Sequence, residues 1–157
     1  MRVRELLTRD RTVHNVEGVS KKRLLDQVAT LVADNCRGLS AQDVFDNLVA
    51  RERLGSTGIG EGIAIPHCRL PVCDKPVGML MHLADPIDFE SIDGRPVDLV
   101  FVLLVPDNHP EQHLKTLSHL AALFSESSYR DRLRGSADAD SLFEMATGSE
   151  EELQLAS

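Results

Sequence analysis

Seven consecutive apolar residues, Leu99-Val100-Phe101-Val102-Leu103-Leu104-Val105, constrain this chain more than any other stretch. A run of that length, stopped by Pro106-Asp107, reads as a strand covered on both faces rather than one with a wet side. The strand begins at Asp98, and a second apolar segment, Val77 to Leu83, reads as its companion. Thr12 to Val16 forms a first strand, with Val13 and Val16 alternating only loosely. Ile63-Ala64-Ile65 is a brief buried strand that stops at Pro66, because proline has no N–H to give to a ladder.

Helical patterns supply the cover. Ser20 caps a helix whose apolar face is Leu24, Leu25, Val28, Leu31 and Val32, and Gly38 closes it. Ser40 opens another, with Val44, Phe45, Leu48 and Val49 inward, ending near Gly55. Pro110 starts a helix carrying Leu114, Leu117, Leu120, Ala121 and Phe124, and Ala137 to Ala146 presents Leu142, Phe143 and Met145. Asp85-Pro86 and Asp93-Gly94-Arg95-Pro96 signal turns, with Phe89 and Ile92 pinning the connection between them. Strands alternate with helices, so the expected fold is an α/β sandwich: a small mixed β-sheet flanked by helices on both faces. Residues 1–148 form a single domain, and the acidic tail 149–157, with Glu150, Glu151 and Glu152, is expected to fray.

At 157 residues and 42% hydrophobic, the chain can bury a real core, and with 4% aromatics and no Trp that core must be aliphatic. The formal net charge of −8 argues against a nucleic-acid partner, whose binding depends on Lys and Arg, and favours a partner with a basic face. No apolar run reaches the roughly 18 residues of a membrane span and no leader pattern opens the chain, so neither membrane insertion nor secretion is expected. Cys36, Cys68 and Cys73 are an odd count with no disulfide framework, which suits a reducing cytoplasm.

The chemistry concentrates in Gly55-Ser56-Thr57-Gly58-Ile59-Gly60-Glu61-Gly62-Ile63-Ala64-Ile65-Pro66-His67. Glycines let backbone N–H groups converge on a small concave site suited to an anion, and the short strand delivers His67 beside it. A neutral imidazole there is a good nucleophile at cytoplasmic pH, since its ordinary pKa is about 6.5. The plain alternative is a histidine that merely terminates a strand. The glycines do not match a dinucleotide fingerprint or a P-loop, and no GxSxG elbow is present. His67, Cys68, Cys73 and His82 match no common zinc spacing, so no metal is assigned.

The thirteen residues from Gly55 to His67 resemble the active-site segment of enzyme IIA domains of the bacterial phosphotransferase system, mannitol/fructose type, and within it the nitrogen-regulatory enzyme IIA. Supporting similarity runs from about residue 5 to residue 146. The resemblance implies that His67 carries a phosphoryl group, accepted through Nε2 from an HPr-type phosphocarrier with no cofactor, making the chain a phosphotransferase-system component. It implies a second histidine at His113, selected over His82, His109 and His119 by the following Leu114-Lys115-Thr116-Leu117. It also implies a supporting arginine at Arg51, preferred over Arg53 by family spacing alone. One departure is Cys68, where many relatives have glycine. Ser56, Thr57 and Gly58 are candidate donors to the phosphate. The favoured role is a regulatory switch whose two forms bind different downstream target proteins. The alternatives are a transport role, passing phosphate to a permease subunit, and an interaction module without phosphoryl chemistry.

Overall fold

A computed structural model describes residues 2–17 and 19–156, with side chains described only to residue 148. In chain order its elements are α1 (Val3–Leu6), β1 (Thr12–Val16), α2 (Lys21–Asn35), α3 (Ala41–Leu54), β2 (Gly58–Gly60), β3 (Ile63–Ala64), β4 (His67–Arg69), β5 (Val77–Ile87), β6 (Val97–Val105), α4 (Pro110–Phe124), α5 (Ser127–Arg134) and α6 (Ala139–Ala156). The strands form one mixed sheet in the order β1-β5-β6-β3-β2. β5 runs antiparallel to β6, while β1 is parallel to β5. β3 and β4 occupy the same flank of β6 in succession, both parallel to it: Ile63 sits opposite Leu99, and His67 opposite Leu103.

The apolar run behaves as a doubly covered strand must. Val100, Val102 and Leu104 pack with Leu24, Val28 and Val32 of α2 and with Val44 and Leu48 of α3. The alternate residues Leu99, Phe101, Leu103 and Val105 pack on the other face with Leu6, Leu120, Phe124, Tyr129, Leu133 and Leu142. Period-two alternation thus feeds two cores from one strand, and the α/β sandwich follows. Ser20 and Ser40 cap their helices as expected, each hydroxyl accepting a backbone N–H three residues on, at 3.3 Å.

Several local expectations are corrected. β5 runs on through Asp85-Pro86 to Ile87, where a turn was expected. Its register to β6 slips between the His82–Leu99 and Ile87–Val97 pairs, so Pro86 stands where the ladder is interrupted and its missing N–H costs little. Phe89 is buried and pins the β5–β6 connection, but Ile92 is 93% exposed and pins nothing. Leu114, assigned to the buried face of α4, is 67% exposed. α6 continues through Gly148 to Ala156, past the expected end at Ala146. Its Glu, Leu, Gln and Ala residues are good helix formers. Among the described residues no helix is long and apolar enough to cross a membrane.

Candidate active site

β3 stops at Ala64, Ile65-Pro66 bridges, and His67 opens β4 rather than ending a strand. The bridge stays tied to the sheet, because the Leu103 N–H donates to the Pro66 carbonyl at 2.9 Å. The imidazole is half-buried, not largely exposed as a strand-end position suggests. Its Nδ1 lies 2.8 Å from the Ile65 carbonyl oxygen. A carbonyl can only accept, so the neutral ring carries its proton on Nδ1 and leaves a lone pair on Nε2.

That lone pair faces Arg51. In the last turn of α3, Arg51 donates from Nε to His67 Nε2 at 3.3 Å and from Nη1 to the Gly55 carbonyl at 2.8 Å. Burial is the main cause that lowers the pKa of His67 from its ordinary 6.5, and the Arg51 charge adds to it. The bond to Ile65 and the Glu52 charge oppose the shift. The ring is therefore neutral, with an available nitrogen, near pH 7. Next to it, burial pushes the Cys68 thiol up to about 12, so that group stays protonated and inert.

His113 lies in the first turn of α4 and is only 6% exposed. β4 and β6 run parallel, so their ends deliver Arg69 and the β6–α4 connection to one rim of the sheet. There Arg51, His67, Arg69 and His113 line one cavity of about 660 Å³, whose walls include Leu54 and Leu114. Burial lowers the His113 pKa, with Arg69 and then His109 adding to the effect and Asp107 opposing it. His113 Nδ1 is buried without a hydrogen-bond partner among the described residues. Two neutral histidines, two arginines and one carboxylate, Asp107, thus share the pocket, and the arginines outnumber the carboxylate in favour of a negatively charged group.

The other candidates fall elsewhere. Arg53 points to solvent from the last turn of α3. His109 precedes α4 in a left-handed conformation, φ 59°, and lines a neighbouring cavity instead. His82 sits opposite Leu99, toward the far end of β6 from His67, so the imagined His67–Cys68–Cys73–His82 set is not assembled.

Ser56, Thr57 and Gly58 do not line the cavity, because their donors are committed inside the protein. The Ser56 hydroxyl donates to the Phe89 carbonyl at 2.5 Å and accepts from the Gly58 N–H at 3.0 Å. The Thr57 hydroxyl donates to the Glu52 carboxylate, and the Thr57 N–H reaches the same carboxylate at 3.3 Å. Within the loop Thr57 does hold an anion, but that anion is the side chain of Glu52. Sequence reasoning missed Glu52 and Arg69. The available signal was the Arg51-Glu52 pair itself: two opposite charges on adjacent helical residues, which must leave the helix in different directions.

The model of the family described as phosphoenolpyruvate-dependent sugar phosphotransferase system, EIIA 2 matches residues 5–147. Over 145 residues the chain is 50% identical to a nitrogen regulatory protein of Pseudomonas aeruginosa, covering 92% of this chain and 94% of that one. Among solved structures, it is similar to nitrogen regulatory protein IIA-Ntr from Neisseria meningitidis, with TM-score 0.85, 40% identity, and 91% and 97% of the two chains covered. It also shares the fold of enzyme IIA mannitol from Escherichia coli, solved in complex with phosphorylated enzyme IIB, with TM-score 0.74, 18% identity, and 90% and 97% covered.

Proposed function

Because the chain belongs to the phosphoenolpyruvate-dependent sugar phosphotransferase system EIIA 2 family, we propose that it carries a phosphoryl group on Nε2 of His67 and works as a nitrogen-regulatory switch. The observation that carries this reading is the pair of bonds on one ring: Nδ1 tied to the Ile65 carbonyl, Nε2 turned to Arg51. An HPr-type phosphocarrier docks at the cavity and presents its own phosphohistidine. Nε2 attacks phosphorus in line, the new N–P bond forms as the donor's N–P bond breaks, and the donor imidazole leaves. The Arg51 guanidinium shifts from Nε2 to the phosphoryl oxygens, where charge is spread in a loose transition state. His113 and Arg69, on the same cavity wall, stabilise the oxygens further.

Leu54, 84% exposed, and Leu114 give the rim an apolar surface for a short-lived partner. The net charge of −8 suits a partner with a basic face. Phosphorylation adds about −2 of charge at the cavity near neutral pH, enough for target proteins to distinguish the two forms. The test is intact mass after incubation with phosphoenolpyruvate, enzyme I and an HPr-type carrier. Wild type gains one acid-labile phosphate and His67→Ala gains none. Labelling of His67→Ala to the wild-type extent would sink the assignment.

A further inference from the structure

Arg51 and Glu52 are neighbours in the last turn of α3 but serve different places. Arg51 reaches out to His67, whereas the Glu52 side chain is 6% exposed and turns inward. A carboxylate so deeply buried needs partners for its lone pairs. Lys21 from the first turn of α2 supplies one at 2.8 Å, and the Thr57 hydroxyl and N–H supply two more. Lys21 is itself fixed, donating to the Phe89 carbonyl at 3.3 Å and lying 4.8 Å from the centre of the Phe89 ring.

From this anchor a chain of bonds leads to the reacting ring. Glu52 holds Thr57, and the Thr57 carbonyl accepts from the Ile65 N–H at 3.0 Å. The Ile65 carbonyl in turn accepts from His67 Nδ1 at 2.8 Å. Arg51 is held separately, by the backbone of the same turn: the Gly55 N–H donates to the Glu52 main-chain carbonyl at 3.2 Å, and the Gly55 carbonyl holds Arg51 Nη1 at 2.8 Å.

We propose that the largely buried Lys21–Glu52 pair is the positioning element of this site, fixing the Nδ1-protonated tautomer of His67 through Thr57 and Ile65. The proposal rests on the phosphoryl-carrier reading for its effect on rate, but not for its effect on the ring. Buried ion pairs add little net stability, and their attested use is to select one geometry. Here the selected geometry is that of the nucleophile, and a misplacement of about 1 Å in such a constellation costs about a hundredfold in rate. Neither Glu52 nor Lys21 lines the cavity, so both act on the pose of the ring through other residues. The Glu52 charge also reaches His67 directly, and Glu52→Gln removes that charge just as Glu52→Ala does.

The experiment reads the ring nitrogens of His67 by NMR in the full chain, together with the rate of phosphoryl acceptance from an HPr-type donor. In Glu52→Ala the signals move from the Nδ1-protonated pattern toward a mixture of tautomers, and acceptance slows about a hundredfold. Glu52→Gln keeps an oxygen for Thr57 and returns both readouts toward wild type. Should Glu52→Ala fail to fold, Thr57→Ala cuts the same chain one link later and must displace the ring signals in the same direction. Wild-type ring signals in the folded variant, or a Gln variant indistinguishable from Ala, would overturn the proposal. If wild type accepts no phosphate, the carrier reading fails while the ring signals still decide the role of Glu52.

Discussion

Two hydrogen bonds decide which nitrogen of His67 is free to react, and the neighbours decide at what pH it is neutral. Burial and Arg51 both disfavour the imidazolium, so His67 titrates below 6.5, and the proposed phosphoryl acceptance should decline only as the pH falls through that lowered value. Arg51→Met removes a positive charge, so the His67 pKa rises, though only part of the way because burial is the larger cause. A ring titration by NMR checks the sign: a value unchanged or lowered in Arg51→Met contradicts the geometry. His113→Ala should slow acceptance without removing the acceptor, and single-turnover labelling as fast as wild type would count against a role for that ring. His67 stands in a legible local pattern, whereas the family resemblance alone singles out His113 and Arg51; the fold brings all three to one cavity. The job of Ser56, Thr57 and Gly58 could not be read at this scale, since glycines and hydroxyls announce convergent donors but not whose oxygens they meet. Those oxygens belong to Glu52 and Phe89, the latter distant in sequence.

At the scale of elements, the glycine-rich hairpin is held by close approach as much as by its own turn. Gly62 adopts φ +78°, and a Cβ there would lie 2.5 Å from Arg134 Nη2 and 2.9 Å from Asp98 Oδ1. Arg134 binds Asp98 at 2.9 Å and the Glu61 carbonyl at 2.6 Å, stitching α5 to the β2–β3 turn. Gly62→Ala should therefore destabilise the fold by about 1–3 kcal/mol, through both backbone strain and displacement of Arg134. Urea unfolding measures it, and a midpoint equal to wild type would contradict the packing described. The long apolar and amphipathic segments were legible because their periodicity spans several turns or a full strand. α5 was not: only Tyr129 and Leu133 of Ser127–Arg134 are buried, too few to show a period. β2 and β4 escaped for a related reason, each being three residues whose strand character comes from pairing with a neighbour. β5 outran its expected end because the ladder tolerates Pro86 at a register slip, a property of the pairing and not of the dipeptide.

Over the whole molecule, the lowered histidines couple stability to pH. Burial is the leading cause at His67, His82 and His113 alike, and each ordinarily titrates at 6.5. Between 6.5 and the lowered folded values the unfolded chain binds more protons than the native protein, so stability falls as the pH drops through that window and is unaffected by these groups above it. Urea midpoints at about pH 7.5 and about pH 5.5 should differ in that direction, and equal midpoints would contradict it. The net charge of −8 makes a second molecular prediction: capture of a basic phosphocarrier slows as ionic strength rises. On the proposed reading, this fold offers one nitrogen of one histidine to a phosphoryl group. The most direct test is nitrogen–phosphorus coupling by NMR on the chain labelled through phosphoenolpyruvate, enzyme I and an HPr-type carrier. A single phosphate on Nε2 of His67, with Nδ1 still protonated, is the predicted result. Phosphate on Nδ1, on another residue, or nowhere would overturn the assignment of Nε2 as the phosphoryl acceptor.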